Sequence, residues 1–345
     1  MAYLLYYHQD LIDVGFENFS PVFEFFFTSE FLQTVGITSY RPKFRLRVLT
    51  FIETLVTERG FTGAISSCPY LEHLVVRQTD LSNSLLGDLM SKSTITSLHL
   101  GNSSFSQHSL HFEDGIIPLL FALGHRLLSL NLEKFNKVDV MQIGELCPNL
   151  KYLRLSCIGS YVPVFDLSKS LFANLEEIEL LNTRGAHIFT KTIHQILDNA
   201  TKLKHTKFQF VDTLNDEVWS EILCENPLSE LETIVFDQCH SISAYTLDGI
   251  IARVNKLTNL CCWSCRFIME NDREDIKEEI RINNYDLYFS WYPFTGEEAP
   301  MPLDDISEDE ESDDDDEEDD EWETPEFFNY WNHPPLPGLA QPALD

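Results

Sequence analysis

A six-residue pattern with apolar residues at its first, fourth and sixth positions recurs nine times between residues 46 and 262. A clear copy is Leu150-x-x-Leu153-x-Leu155. The fourth and sixth positions are two residues apart, so both side chains lie on the same side of a short β-strand. The copies are 23 to 32 residues apart and begin at Leu46, Leu71, Ile95, Leu127, Leu150, Leu175, Leu203, Leu231 and Leu257.

Apolar residues at helical spacing follow several of these predicted strands. After the Leu231 copy, Leu247, Ile250, Ile251 and Val254 fall on one stripe of a helix. A unit of one strand and one helix cannot bury its own apolar face, but stacked units share one continuous core. The sequence therefore predicts an α/β solenoid with a parallel sheet of about nine strands on one face and helices on the other.

The repeats also carry cysteines at a fixed position. The Leu231 copy continues to Cys239 at its ninth residue, and the Leu257 copy continues to Cys265. These repeats resemble the cysteine-containing leucine-rich repeats of F-box/leucine-rich-repeat proteins and of ribonuclease-inhibitor-like proteins. The resemblance covers residues 46–270. It implies a leucine-rich repeat horseshoe with the parallel sheet on its concave face and helices on its convex face.

The function that this resemblance implies is a non-enzymatic protein-interaction scaffold, and in particular a substrate receptor or adaptor of ubiquitin ligases. Ubiquitin-ligase components are then among the expected partners. No F-box is recognised in residues 1–45, which lack both its usual Leu-Pro opening and its Cys-Arg-x-Trp-like end. Whether an F-box-like function resides in that segment stays open.

The composition divides the chain into five parts. Aromatic residues dominate the first part, which we predict to be a helical cap over the open end of the solenoid. The parts are an N-terminal helical cap at 1–45, the repeats at 46–270, a C-terminal cap at 271–302, a disordered acidic segment at 303–323 and a Pro-rich and aromatic tail at 324–345.

Negative charge is concentrated at the C-terminal end. The chain has a net charge of -32, and its last fifty residues hold 20 of the 56 acidic residues and no Lys or Arg. A segment of this kind repels itself and buries little, which predicts disorder. The charge disfavours nucleic acid and anionic membranes as partners, since both require a basic surface. It favours basic proteins, so an alternative is a factor similar to acidic leucine-rich nuclear proteins, which bind histones.

Candidate chemistry other than protein binding is sparse. Cys262 and Cys265 form a Cys-x-x-Cys spacing but fall on core positions, and a zinc site needs a second ligand pair. No phosphate-binding loop, nucleophile elbow or His-Glu-x-x-His motif is present. We therefore expect no enzymatic activity, no cofactor and no metal. Eight cysteines without a secretory signal favour a reducing compartment, either cytoplasmic or nuclear.

The residues that remain as candidates point outward from the predicted strands. The third, fifth and seventh positions of each repeat line the concave face, where Tyr, Arg and Trp are typical of protein interfaces. The predicted protein-binding residues are His73, Arg77, His99, Asn131, Tyr152, Arg154, Glu179, Lys207, Asp237 and Trp263.

Two serines in the acidic segment are predicted phosphorylation sites. Ser307 is followed by Glu308-Asp-Glu310 and Ser312 by Asp313-Asp-Asp315, which suits acidophilic kinases of the casein-kinase type. Each phosphate would add about -1.5 to -2 charges. We expect intact-mass measurement of the protein from cells to show phosphate on this segment. An unmodified mass would contradict the prediction.

Overall fold

All nine copies of the apolar pattern form strands. The computed structural model describes residues 12–17, 44–53, 57–79, 82–92, 94–103, 110–164, 170–183 and 188–293. Its strands form a single sheet in which every strand pairs in parallel with its neighbour in sequence. They are β1 (Asp13–Glu17), β2 (Val48–Ile52), β3 (His73–Thr79), β4 (Ser97–Asn102), β5 (Ser129–Glu133), β6 (Tyr152–Ser156), β7 (Glu177–Leu181), β8 (His205–Gln209), β9 (Thr233–Asp237), β10 (Asn259–Trp263) and β11 (Tyr288–Tyr292).

Helices connect most neighbouring strands and cover one side of the sheet, since parallel neighbours need a crossover connection. Polar N-caps begin several of them; Asn215, for example, accepts a hydrogen bond from the backbone of Val218. The helices are α1 (Glu58–Ser67), α2 (Leu86–Met90), α3 (Ile117–Leu123), α4 (Val140–Leu146), α5 (Thr190–Leu197), α6 (Asp216–Glu225), α7 (Ala244–Arg253) and α8 (Glu270–Asn283).

The core lies between the sheet and these helices. Register places the fourth residue of each repeat beside its equivalent on the next strand, so that Leu130, Leu153 and Ile178 align and are buried. Around β8 and β9 the core is aromatic: the Phe208 and Phe236 rings lie 6.1 Å apart, and Trp219 of α6 packs edge-on against both. The side chains of Cys68, Cys147, Cys239 and Cys265 are also buried in this core.

A tight turn follows most strands and forces one residue into the left-handed backbone region. The seven residues in this place have φ between 50° and 59°, a conformation that costs non-glycine residues of order 1 kcal/mol each. They are Glu53, Gln78, Lys134, Cys157, Phe210, Gln238 and Ser264. Because the turn recurs in register, it marks the repeat as clearly as the leucines do.

Both ends of the sheet extend beyond the predicted nine strands. Residues 13–17 lie in the segment predicted as a helical cap, yet they form β1, whose Phe16 ring stacks 5.7 Å from that of Phe51. The segment forms a strand because pairing with β2 buries the Phe16 side chain in the core row of the sheet. In the segment predicted as the C-terminal cap, residues 288–292 form β11, which pairs with β10.

Several predictions concern residues outside the described ranges. They are the remainder of the N-terminal cap up to residue 43, residues 294–302, the acidic segment 303–323 with Ser307 and Ser312, and the tail 324–345. Within the described ranges, no helix has both the length and the apolar character needed to cross a membrane.

Candidate binding face of the sheet

The side of the sheet opposite the core carries three rows of outward side chains, which we call the open face. Core positions on each strand alternate with partly exposed ones, as the pleat requires. Parallel register aligns the outward positions from strand to strand. The middle row is Thr50, Val75, His99, Asn131, Arg154, Glu179, Lys207, Val235, Cys261 and Ser290.

The structure places all ten predicted binding residues at outward positions of strands β3 to β10. It brings them together in two groups. The first group spans β3 to β7 and contains His99, Asn131, Arg154, Glu179 and the outer-row Arg77. The second group spans β8 to β10 and consists of Lys207, Asp237 and Trp263. His73 and Tyr152 belong to the row nearest the strand starts.

An ion pair that crosses β4 organises the first group. Arg77 of β3 donates from Nε to Glu133 Oε2 of β5 at 2.8 Å and from a terminal nitrogen to Oε1 at 3.4 Å. The strand between them has Gly101 at this point, where an added Cβ would lie 3.3 Å from Glu133 Cβ and 3.5 Å from Arg77 Cα. The absent side chain therefore lets the arginine reach across one strand.

Glu133 is one of the most deeply placed charges on the open face, with 10% of its side chain exposed. Burial by itself would raise the pKa of this carboxyl, but the neighbouring His99 and the hydrogen bonds from Arg77 outweigh burial and lower the pKa to about 2. His99 Nε2 is 3.5 Å from Glu133 Oε2, and burial lowers the pKa of His99. The guanidinium of Arg77 supplies the charge that compensates Glu133.

The first group contains a second ion pair, which joins β6 and β7. Arg154 of β6 contacts Glu179 of β7, with 3.2 Å between the guanidinium nitrogen and Oε2. Glu177 lies two residues before Glu179, and burial together with the Glu179 charge raises its pKa to about 7, against the opposing effect of Arg154. A carboxyl whose pKa is raised in this way is the kind of perturbed group that occurs at functional sites.

The second group combines a cation, a carboxylate and aromatic rings. Lys207 Nζ lies 6.0 Å from the centre of the Trp263 ring, and Gln209 donates a 3.0 Å hydrogen bond to Asp237 Oδ2. Trp263 Nε1 donates to Ser290 Oγ at 3.3 Å, and its ring meets that of Tyr292 edge-on at 6.4 Å. The indole is therefore held in place by the last strand.

A line of charged residues borders the open face just before the strands. Glu176 accepts hydrogen bonds from Lys151 at 2.7 Å and from Lys204 at 3.0 Å, which joins three successive repeats. These pairs are largely exposed, so they add little stability. They do fix the charge pattern at the border of the face.

Gly101 and Tyr292 are among the residues around these groups that were not predicted as sites. Gly101 could have been suspected because glycine inside a strand often marks a close approach. Tyr292 was assigned to the C-terminal cap because the segment around it mixes charged and aromatic residues, and only its pairing with Trp263 places it on the sheet.

The cysteines and histidines form no metal-binding group of three or more within the described residues. Burial raises the pKa of Cys262 and raises that of Cys265 to about 12, so both remain thiols at neutral pH. Cys265 donates to the backbone carbonyl of Phe236 at 3.7 Å, and Cys239 makes the equivalent 3.4 Å contact with Phe208. These thiols join adjacent repeats within the core.

No protein-family model matches the chain, and no curated protein matches it in sequence. Solved structures do resemble it. A chain from the crystal structure of the Rad7 and Elc1 complex in yeast is 16% identical with a TM-score of 0.52, covering 78% of this chain and 67% of that chain. A chain from the TLR13–ssRNA13 complex is 15% identical with a TM-score of 0.33, covering 71% and 45%, and carries no further weight. The likeness and the single parallel sheet establish an α/β leucine-rich repeat solenoid.

Proposed function

We propose that this protein is a non-enzymatic interaction scaffold that binds a protein partner on the open face of its sheet. The observation that carries the proposal is the first group, in which two arginines from different repeats lie beside two sunken carboxylates. These charges lie on the side of the strands opposite the core row. On an ordinary solvated surface, the carboxylates of such ion pairs would be exposed to water, whereas these two are nearly covered.

The arrangement suits a protein surface better than a small ligand. The arginines Arg77 and Arg154 have about a third of their side chains exposed (34% and 37%), whereas the carboxylates beneath them are nearly covered. A partner would therefore meet prepositioned guanidinium groups whose charge is already balanced, which lowers the cost of desolvating them on binding. Tyr152 and Trp263 on the same face are of the types that dominate interface energetics.

For the finer role we propose a substrate receptor or adaptor resembling F-box/leucine-rich-repeat proteins of ubiquitin ligases. Support comes from the cysteine-type repeats and from the similarity to a chain of the Rad7 and Elc1 complex. The acidic C-terminal segment favours a second candidate, a factor that binds histones or other basic proteins. The cytoplasm or nucleus is the compartment that both proposals require.

The test removes one aromatic side chain from each side of the solenoid. Tyr152→Ala changes the open face, while Tyr245→Ala changes an exposed position on α7, on the helix side. We expect quantitative affinity purification to recover partners with the parent and with Tyr245→Ala, and to lose them at least tenfold with Tyr152→Ala, since interface tyrosines contribute about 1–4 kcal/mol.

The identity of the lost proteins separates the two candidates. Cullin-adaptor components and their associated proteins would support the receptor, and histones or other basic proteins would support the second candidate. Equal recovery by both variants, each with the melting temperature of the parent, would contradict binding on the open face.

A further inference from the structure

Two carboxylates occupy equivalent outer-row positions on the open face but have different surroundings. Glu133 of β5 receives the guanidinium of Arg77. Asp237 of β9 receives the neutral amide of Gln209, and among the described residues no cation lies within ion-pair distance of it. Burial raises the pKa of Asp237, and the more distant Lys207 and the Gln209 hydrogen bond only partly offset it. Asp237 is therefore a carboxylate that its own chain leaves incompletely neutralised.

The neighbours of Asp237 on the next two strands are aromatic. Register places Trp263 directly beside it and Tyr292 beside Trp263. The indole is fixed by its bond to Ser290, while Tyr292 is 51% exposed, and Tyr288 at the start of the same strand is 60% exposed. This corner of the face thus offers two ring surfaces and a carboxylate within three successive repeats.

A cation of the protein itself already lies over one of these rings. Lys207 approaches Trp263 from β8 and places its ammonium 6.0 Å from the ring centre, within the range of a cation–π contact. The ammonium group of Lys207 lies over the Trp263 ring and does not form a close ion pair with Asp237. The lysine is partly exposed on a flexible stem, so its ammonium can be displaced without disturbing the core.

We propose that Asp237, Trp263 and Tyr292 form a subsite for a lysine or arginine side chain of the bound protein partner, with Lys207 as the internal occupant that the partner displaces. The subsite deepens the proposed function and rests on it. An incoming cation would contact the indole face and the Asp237 carboxylate together, whereas Lys207 lies over the indole and acts on Asp237 only from a distance. The net charge of -32 attracts cationic segments toward the protein over long range.

The experiment uses the full-length chain and a defined probe, a fluorescein-labelled peptide of alternating lysine and glycine, with binding followed by anisotropy at 0.15 M NaCl. Asp237→Asn and Trp263→Leu should each weaken binding about three- to thirtyfold. Lys207→Gln should strengthen binding, because it vacates the ring. Asp248→Asn, an aspartate on the helix side in α7, is the matched control and should leave the affinity unchanged.

The acidic C-terminal segment could also hold a basic peptide, so a chain lacking residues 303–345 is measured in parallel. If that deletion abolishes binding while Asp237→Asn and Trp263→Leu have the affinity of the parent, the subsite does not exist. Weaker binding by Lys207→Gln would overturn it as well, since the lysine would then be part of the attraction. Affinity purification separates this inference from the proposed function. If Tyr152→Ala loses the protein partner and Asp237→Asn retains it, binding on the open face stands and only the cation subsite is wrong.

Discussion

Replacing Leu153 with alanine should lower the free energy of unfolding by about 2–5 kcal/mol, because the surrounding repeats cannot close around the cavity left behind. Leu153 is 1% exposed at the centre of β6, between Leu130 of β5 and Ile178 of β7. Each repeat of a solenoid is stabilised chiefly by its two neighbours, so a cavity at this place weakens both interfaces. A fall in melting temperature of about 5–15 °C, measured by circular dichroism, is expected.

Leu128→Ala is the matched control for this substitution. Leu128 lies just before β5 and is 37% exposed, so its truncation removes the same atoms without opening a cavity. We expect its effect to stay within about 0.5 kcal/mol, as is usual for surface substitutions. Equal melting temperatures for Leu153→Ala and Leu128→Ala would show that the assignment of core positions in the repeats is wrong.

The nine internal strands could be predicted because each repeat keeps the same apolar spacing, which the core demands. The outer two strands were missed for different reasons. Leu11-x-x-Val14-x-Phe16 has the required spacing, but it lies 35 residues before Leu46 in a segment rich in phenylalanine. The equivalent of the repeat's first position before β11 is Asp286, and among the described residues no further repeat follows β11 to bury an apolar side chain there.

For the open face, the sequence predicted which residues point outward but not which of them contact one another. Alternation along a strand decides which side chains point outward, so residues such as Arg154 and Lys207 could be assigned to it from sequence. Their partners could not be assigned. Arg77 and Glu133 are 56 residues apart in sequence and meet across Gly101, which lies beside Glu133 in the parallel register and has no side chain between the two. The hydrogen-bonding register between repeats therefore decides the electrostatics, and a single sequence does not determine it.

Replacing Arg77 with methionine should destabilise the protein by about 2–4 kcal/mol at pH 7, because it leaves the Glu133 carboxylate buried without a compensating charge. Methionine retains most of the arginine's apolar stem, so the loss reports mainly the charge. Urea denaturation measures the effect. Arg47→Met, which breaks the exposed Arg47–Glu72 pair on β2's border, is the control and should leave the midpoint nearly unchanged.

This cost should shrink as the solution is acidified. With Arg77 present, the pKa of Glu133 is about 2 in the folded protein against 4.5 for the ordinary side chain, so its stabilising contribution is complete above about pH 5 and declines as the pH falls toward 2. In Arg77→Met, the guanidinium no longer opposes the effect of burial, so the pKa of Glu133 in the folded variant is higher than in the parent. The carboxyl therefore takes up its proton at a higher pH, which relieves the penalty. The gap in unfolding free energy between parent and variant should therefore narrow by about 1–2 kcal/mol between pH 7 and pH 3.5. The other carboxylates titrate alike in both proteins and cancel from the difference. A gap that is the same at both pH values would mean that Arg77 stabilises the fold through packing alone.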